Sequence, residues 1–386
     1  MKTQYLISLF LISLVVGCKQ PTTLSSQQTE PSNPFGENPV NCETNNDNEI
    51  NWEALLNDNC NKLSEYGLFS KLSYDQRTPN NLGFNYQLNS ALFTNHARKY
   101  RYLYIPDGMS AIEYSKDNSF IFPQGSVLVK IFSLPSDTNI DNNETIIEVR
   151  LLINRKSGWT PLVYKWYSEF DDGYLLVGGK IISQTINHNN ESQTFKYSIP
   201  SKGECIRCHK NIDENGRSYT SPIGLKARHL NKAITLNSVS TNQLYYWKTL
   251  GLLTGLPSDL NNIDTAPNWK DNTKDIQSRA KAYLDINCAH CHSDNGDAAL
   301  SGLRLDYWRK DLDYSHGVCN PAHGWRGGGY DIWPGEGDTS SIPVRMRHTE
   351  AKDRMPPIGR SLVDEEAAQL ISDWIDTLPY QACSGV

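Results

Sequence analysis

Between residues 51 and 200 the apolar positions come in short runs separated by turn residues. Arg101-Tyr102-Leu103-Tyr104-Ile105 stops at Pro106-Asp107-Gly108, and Phe120-Ile121-Phe122 passes through Pro123-Gln124-Gly125 into residues 126–132. Residues 145–153, 159–167 and 174–177 continue the series. Short runs rich in β-branched and aromatic residues, broken at regular intervals, predict an antiparallel sandwich or barrel-like domain. Beyond residue 240 the period changes to that of helices. One helix is predicted near residues 242–250. Another covers 273–286, with Ile276, Ala280, Tyr283 and Leu284 on one face. The last covers 364–377 and sets Ala367, Leu370, Ile371, Trp374, Ile375 and Leu378 on one stripe. Its opening Asp364-Glu365-Glu366 puts negative charge where the helix macrodipole favours it.

The chain starts in another texture. Met1-Lys2 is followed by an apolar run over residues 5–16, too short to span a bilayer as a helix. The run ends Leu14-Val15-Val16-Gly17-Cys18, the pattern of a bacterial lipobox. Residues 1–17 are therefore expected to be a lipoprotein signal peptide, with Cys18 the lipidated residue. Several acyl chains anchor a protein far more firmly than one. An ordinary cleaved signal, with no role for Cys18, is the alternative. Lys19 stands where Asp would mark inner-membrane retention, so the likeness to Gram-negative lipoproteins implies the outer membrane. Residues 18–50 are rich in Ser, Thr, Gln, Asn, Pro and Glu and bury no core, which predicts a flexible tether. At 386 residues, 38% hydrophobic and a net charge of −6, the rest allows two or three domains and gives no basic surface for nucleic acid.

The chemistry lies in a repeated pattern, Cys205-Ile206-Arg207-Cys208-His209 and Cys288-Ala289-His290-Cys291-His292. With nine Cys and nine His in the chain, chance predicts about 0.005 such patterns, so two carry weight. Cys-x-x-Cys-His is the attachment signal for c-type haem. Two thiols one turn apart add to the two vinyl groups, and the next residue presents an imidazole to the iron. A pair of Cys-x-x-Cys zinc or redox sites is the alternative, and it would need further ligands at metal-binding spacing. The expected cofactors are two covalently bound haem c, held by Cys205, Cys208, Cys288 and Cys291, with His209 and His292 on the irons.

Arg354-Met355-Pro356-Pro357, just before the last predicted helix, offers Met355 as the second ligand of the second iron, with Met346 in competition. His/Met ligation raises the potential and suits an electron carrier. His290, between two haem cysteines, is expected to face solvent. For the first iron, His229, His188, His96, Met109 or an open position remain, and Arg228 is a candidate partner for a haem carboxylate. His96 and His188 read equally well as surface or packing residues. Setting aside Cys18 and the haem cysteines leaves Cys42, Cys60, Cys319 and Cys383. In an oxidising space these suggest two disulfides, Cys42–Cys60 and Cys319–Cys383, each within one region, against the alternative of free buried thiols. The first loop would contribute about 3 kcal/mol by chain entropy.

Taken with residues 63–69, 86–93, 101–106 and 221–228, with Asn287-Cys288-Ala289-His290-Cys291-His292, and with Met355-Pro356-Pro357 before the last helix, the chain resembles a family of bacterial di-haem c-type cytochromes, often lipoproteins, of unassigned physiological role. The resemblance covers about residues 60–378. It implies an α+β multidomain fold, an N-terminal antiparallel β-sandwich-like domain over 51–200 followed by two mainly α-helical cytochrome c-type haem domains, a first haem region over 201–269 and a class I cytochrome c-like domain over 270–386. It implies a protein partner, a parallel β-helix repeat protein, but no known reaction; the two haem motifs with Met355 point to electron transfer in the cell envelope between redox partner proteins. A peroxidase- or oxidase-like enzyme using an open first haem is the alternative, as is a haem subunit or sensory module serving a dehydrogenase or carbohydrate-related partner.

Overall fold

The computed structural model describes residues 29–43, 49–81, 83–141, 143–236 and 238–384. The signal peptide, Cys18 and residues 19–28 and 44–48 of the expected tether lie outside the described residues. Residues 32–386 form one unit, and residues up to 31 belong to another, of which 29–31 are described.

The short helix α1 (Trp52–Asn57) starts where the Asn51 side chain accepts the Ala54 amide proton. Next come the hairpin of β1 (Phe69–Leu72) and β2 (Arg77–Pro79), then β3 (Gly83–Asn85), β4 (Arg98–Tyr104), the two-residue β5 (Ile112–Glu113), β6 (Val127–Pro135), β7 (Glu144–Arg155), β8 (Gly158–Tyr167) and β9 (Asp172–Leu175). Six of these form one antiparallel sheet in the order β3-β4-β6-β7-β8-β9. Alternation sends Tyr102, Tyr104, Val129, Ile131, Leu151 and Tyr164 to one face, where they meet Leu55, Tyr66 and Leu68 in a closed core. On the other face Leu103, Leu128 and Leu152 form an apolar cluster at one end, and Phe132 and Val163 belong to a second cluster. Cys42–Cys60 ties the segment covering the first face.

A separate hairpin joins β10 (Lys180–His188) to β11 (Glu191–Ile199) through Asn189 and Asn190, both at positive φ (52° and 64°). Two left-handed residues make the turn whose twist matches the strands, and Asn tolerates that conformation. The chain continues through α2 (Lys202–His209), the hairpin β12 (Lys210–Ile212) and β13 (Ser218–Thr220), α3 (Ala227–Leu230), the hairpin β14 (Ala233–Leu236) and β15 (Val239–Asn242), α4 (Gln243–Thr249) and β16 (Leu253–Thr254), which pairs parallel with β5. Then come α5 (Ile276–Asn287), α6 (Ser341–Arg347) and α7 (Glu365–Asp376).

This corrects the expected fold class. There is no β-sandwich followed by two mainly α-helical cytochrome c-type domains. The described chain is mostly strands in one large and several small sheets, with seven helices among the described residues. The physical reason is plain for residues 201–269. Helices of 8, 4 and 7 residues cannot enclose a core of their own. Their apolar residues go to the sheet instead: Leu225, Leu230, Leu244 and Trp247 pack with Leu103, Leu128 and Leu152. The second face of the sheet is thus covered at one end by this segment and at the other by the two-stranded β10–β11 sheet, whose Ile186, Phe195 and Tyr197 pack with Phe132 and Val163. Past residue 270, the 12-residue α5 and α7 match the two long helices predicted by period, and they bury Tyr283, Leu284, Ile371 and Trp374 together. The stretch between α5 and α6 is irregular, broken only by three 3-10 turns.

Candidate functional site

The first motif occupies the last turn of α2, whose start is fixed by a capping box between Ser201 and Glu204. Cys205 is buried and Cys208 half-buried, and both are free thiols. His209 ends the helix. Its Nδ1 lies 2.7 Å from the carbonyl oxygen of Ser221, which can only accept, so Nδ1 carries the proton and Nε2 keeps the lone pair. Burial, with Lys130 nearby, pushes the imidazole pKa down to about 4, so the ring is neutral near pH 7. A cavity of about 180 Å³ opens here, lined by all three motif residues and by the sheet.

The second motif follows α5 directly, with Cys288 as its C-cap. Cys288 and Cys291 are also free. His292 Nδ1 is 3.2 Å from Ser301 Oγ, and that hydroxyl donates to the Ala298 carbonyl at 2.8 Å, so its oxygen accepts from the ring. The tautomer is therefore the same as at His209. Burial, then Arg345 and Arg304, push the His292 pKa down to about 4. A metal-bound histidine characteristically donates its other ring N–H in this way. Both Met355 and Met346 line the adjoining cavity of about 70 Å³, and Met355 lines the first cavity too. The loop bearing Met355 is held by Arg360, 5% exposed, which donates to the carbonyls of Met355 (2.8 Å), Met346 (2.9 Å) and Leu362 (3.1 Å). His290, His292 and Met355–Pro357 line both cavities, so the two sites adjoin.

The donor set fits haem c better than zinc. Burial pushes the thiols up, to about 11 for Cys208 and about 12 for Cys288 and Cys291, which disfavours thiolate ligands in apolar surroundings. Among the described residues, neither motif gathers three Cys, His or carboxylate ligands at metal-binding separation; the one group that does is Cys42, Cys60 and Glu65, whose cysteines are already bonded to each other. Both disulfides form as expected, Cys42–Cys60 and Cys319–Cys383.

Several candidates lie elsewhere. His229 is fully buried, but its Nε2 is 2.5 Å from Asp285, and it does not line the first cavity. Arg228 grips the same carboxylate at 2.7 and 3.0 Å, so its charge is already answered. His96 and His188 stack on each other at 4.0 Å, and Met109 is exposed. His290 differs from its expected solvent-facing role: it is half-buried, with Nδ1 unpartnered, and touches both motif cavities. It also borders a third, polar cavity of about 520 Å³ lined by His229, Asp285, Trp159 and Trp308 beside Cys208. Sequence reasoning missed Ser221, Ser301 and Arg360, since each acts through a contact made by the folded backbone. Comparison with models of protein families, with characterised proteins and with solved structures found no match.

Proposed function

We propose that this chain is a c-type cytochrome of the cell envelope that carries two covalently attached haems and passes electrons singly between partner proteins. One repeated arrangement carries the reading: two free thiols at a helix end, then a neutral imidazole whose Nδ1 is anchored by an acceptor, at the edge of a cavity. When bound, haem supplies a one-electron iron couple. The chain's own residues do the remaining work. Cys205, Cys208, Cys288 and Cys291 tether by adding S–H across vinyl groups, with no atom lost. Ser221 and Ser301 hold the rings of His209 and His292 so that Nε2 is free to bind. Met355 offers a thioether from the loop that Arg360 braces. Because the cavities share His290, His292 and Met355, groups held there would be neighbours, which suits transfer between them.

Acylation at Cys18 would hold the protein on the outer membrane, facing the periplasm; no described helix is long and apolar enough to cross a bilayer. Redox proteins, a parallel β-helix repeat protein among them, are the proposed partners, with no nucleic acid. Intact mass and an acid–acetone extraction test the reading. The mature chain should weigh two haems more than its polypeptide and lipid, and keep its colour in the pellet; complete loss of colour to the solvent overturns it. A second reading, peroxidase- or oxidase-like chemistry at the first site, draws on the polar cavity beside Cys208. A carbon-monoxide shift in half of the reduced haem would favour it over pure electron transfer.

A further inference from the structure

Among the described residues His290 alone borders all three cavities. Neither of its ring nitrogens is hydrogen-bonded: Nδ1 is enclosed by protein without a partner, and Nε2 is left open. Buried polar groups are normally satisfied, so an imidazole in this state points to a missing partner. Burial, then His209, Lys226, His292 and Lys130, push its pKa down to about 3, which keeps the ring neutral and its lone pair available near pH 7. The backbone fixes this ring beside the first motif. Ile212, just past His209, donates its amide to the Asn295 carbonyl at 3.0 Å. Asp297 pairs with Arg207 at 3.0 Å and with Lys210 at 3.1 Å. The first motif and the strand after it are thus tied to the loop after the second motif, and His209 and His290 line one cavity.

We propose that His290 is the second axial ligand of the iron held by His209, so that the segment tethering one haem completes the coordination of the other. This rests on the reading of a haem at each motif. His290 cannot serve the haem of its own motif. It stands between the two thiols, at the edge that carries the vinyl groups, and His292 takes the iron of that haem. The remaining donors at the first cavity are engaged or placed otherwise. Glu204 accepts from the Ser201 amide at 2.8 Å, and Asp297 is held by two cations. Lys99 donates to the Ala97 carbonyl at 3.0 Å. Lys130 bears on Cys205, Cys208 and His209 together, which puts it on the attachment side. Met355 is the thioether braced for the second iron, and His229, His96, His188 and Met109 do not line this cavity. Two imidazoles give a lower potential than an imidazole with a thioether, so an electron would settle on the second haem. The first iron would have no open face for peroxide or carbon monoxide.

The test is near-infrared magnetic circular dichroism and low-temperature magnetic resonance of the holoprotein from a host that matures c-type cytochromes, with intact mass counting the haems. The wild type should show one bis-imidazole haem and one imidazole–thioether haem, both low-spin. In His290→Ala, half of the haem should turn high-spin and bind carbon monoxide when reduced, while the methionine-to-iron band stays. Added imidazole should return that half to low spin. His290→Met should keep two low-spin haems and double the band. A wild type without a bis-imidazole haem would overturn the assignment, whatever the variants do. So would a first haem still low-spin in His290→Ala, or one that turns high-spin on Lys130→Met alone, which would give the site to that amine. Should His290→Ala not retain two haems, His290→Met decides, and a bis-imidazole haem surviving there overturns the assignment. A wild-type chain without attached haem would instead overturn the proposed function, and this ligand with it.

Discussion

At the scale of single residues, what matters is which atom faces which acceptor. Ser301→Ala removes the acceptor for His292 Nδ1 and should leave a less basic imidazole. The potential of one haem should then rise, by up to about tenfold in its one-electron equilibrium, while the other stays; potentiometry reads this directly. Arg360→Met removes the donors that hold the carbonyls of Met355 and Met346. The methionine-to-iron absorption band should weaken with both haems retained, and an unaltered band would mean the loop stands without that brace. Asp285 contributes a pH-dependent share of the stability. Burial pushes its carboxyl up, but Lys226, Arg228 and His229 outweigh this and hold it well below the usual range. A carboxylate lowered in the folded state stabilises above its unfolded value of about 3.9, and that contribution disappears as pH falls through the folded one. Asp285→Asn should cost about 3–5 kcal/mol at pH 7 by stranding Arg228, and the gap from wild type should narrow in denaturation below pH 4. Neither the motif nor the periodicity pointed to Arg360, whose carbonyl partners are chosen by the fold of its loop, or to the Asp285 network, whose partners Arg228 and His229 lie 57 and 56 residues away.

Among elements, period and punctuation were legible where apolar residues are dense. Strands β6, β7 and β8, buried on both faces, and helices α5 and α7 fall on the predicted runs. The β10–β11 hairpin was harder to read: most of its β10 side chains stand at or near the surface, so little apolar alternation marks it. The expected helical domain over 201–269 failed for a related reason. The helix expected near 242–250 forms as α4, but its Leu244 and Trp247 pack against the sheet and not within a helical domain. The Cys319–Cys383 disulfide closes the chain across 64 residues, from the irregular stretch after the second motif to the segment after α7. Cys383→Ser should cost about 4 kcal/mol in the chain-entropy account, measurable by urea unfolding of the oxidised protein.

For the molecule as a whole, the prediction concerns address: if the proposed di-haem lipoprotein is right, Cys18→Ala should move the protein from the membrane to the soluble fraction, with its haem spectrum unchanged. The sequence by itself determined the repeated unit on which the proposed covalent chemistry rests. The reactive unit of each site is five consecutive residues, and local spacing alone sets how two thiols and an imidazole are offered. The tertiary structure alone decided what surrounds those units. It brought Lys99, Lys130 and Arg150 from three strands beneath the first motif, joined the two cavities through His290 and Met355, and occupied His229 with Asp285. Such neighbours are set by strand register and by which apolar face is buried where, and both are properties of long-range packing that no local run of residues encodes.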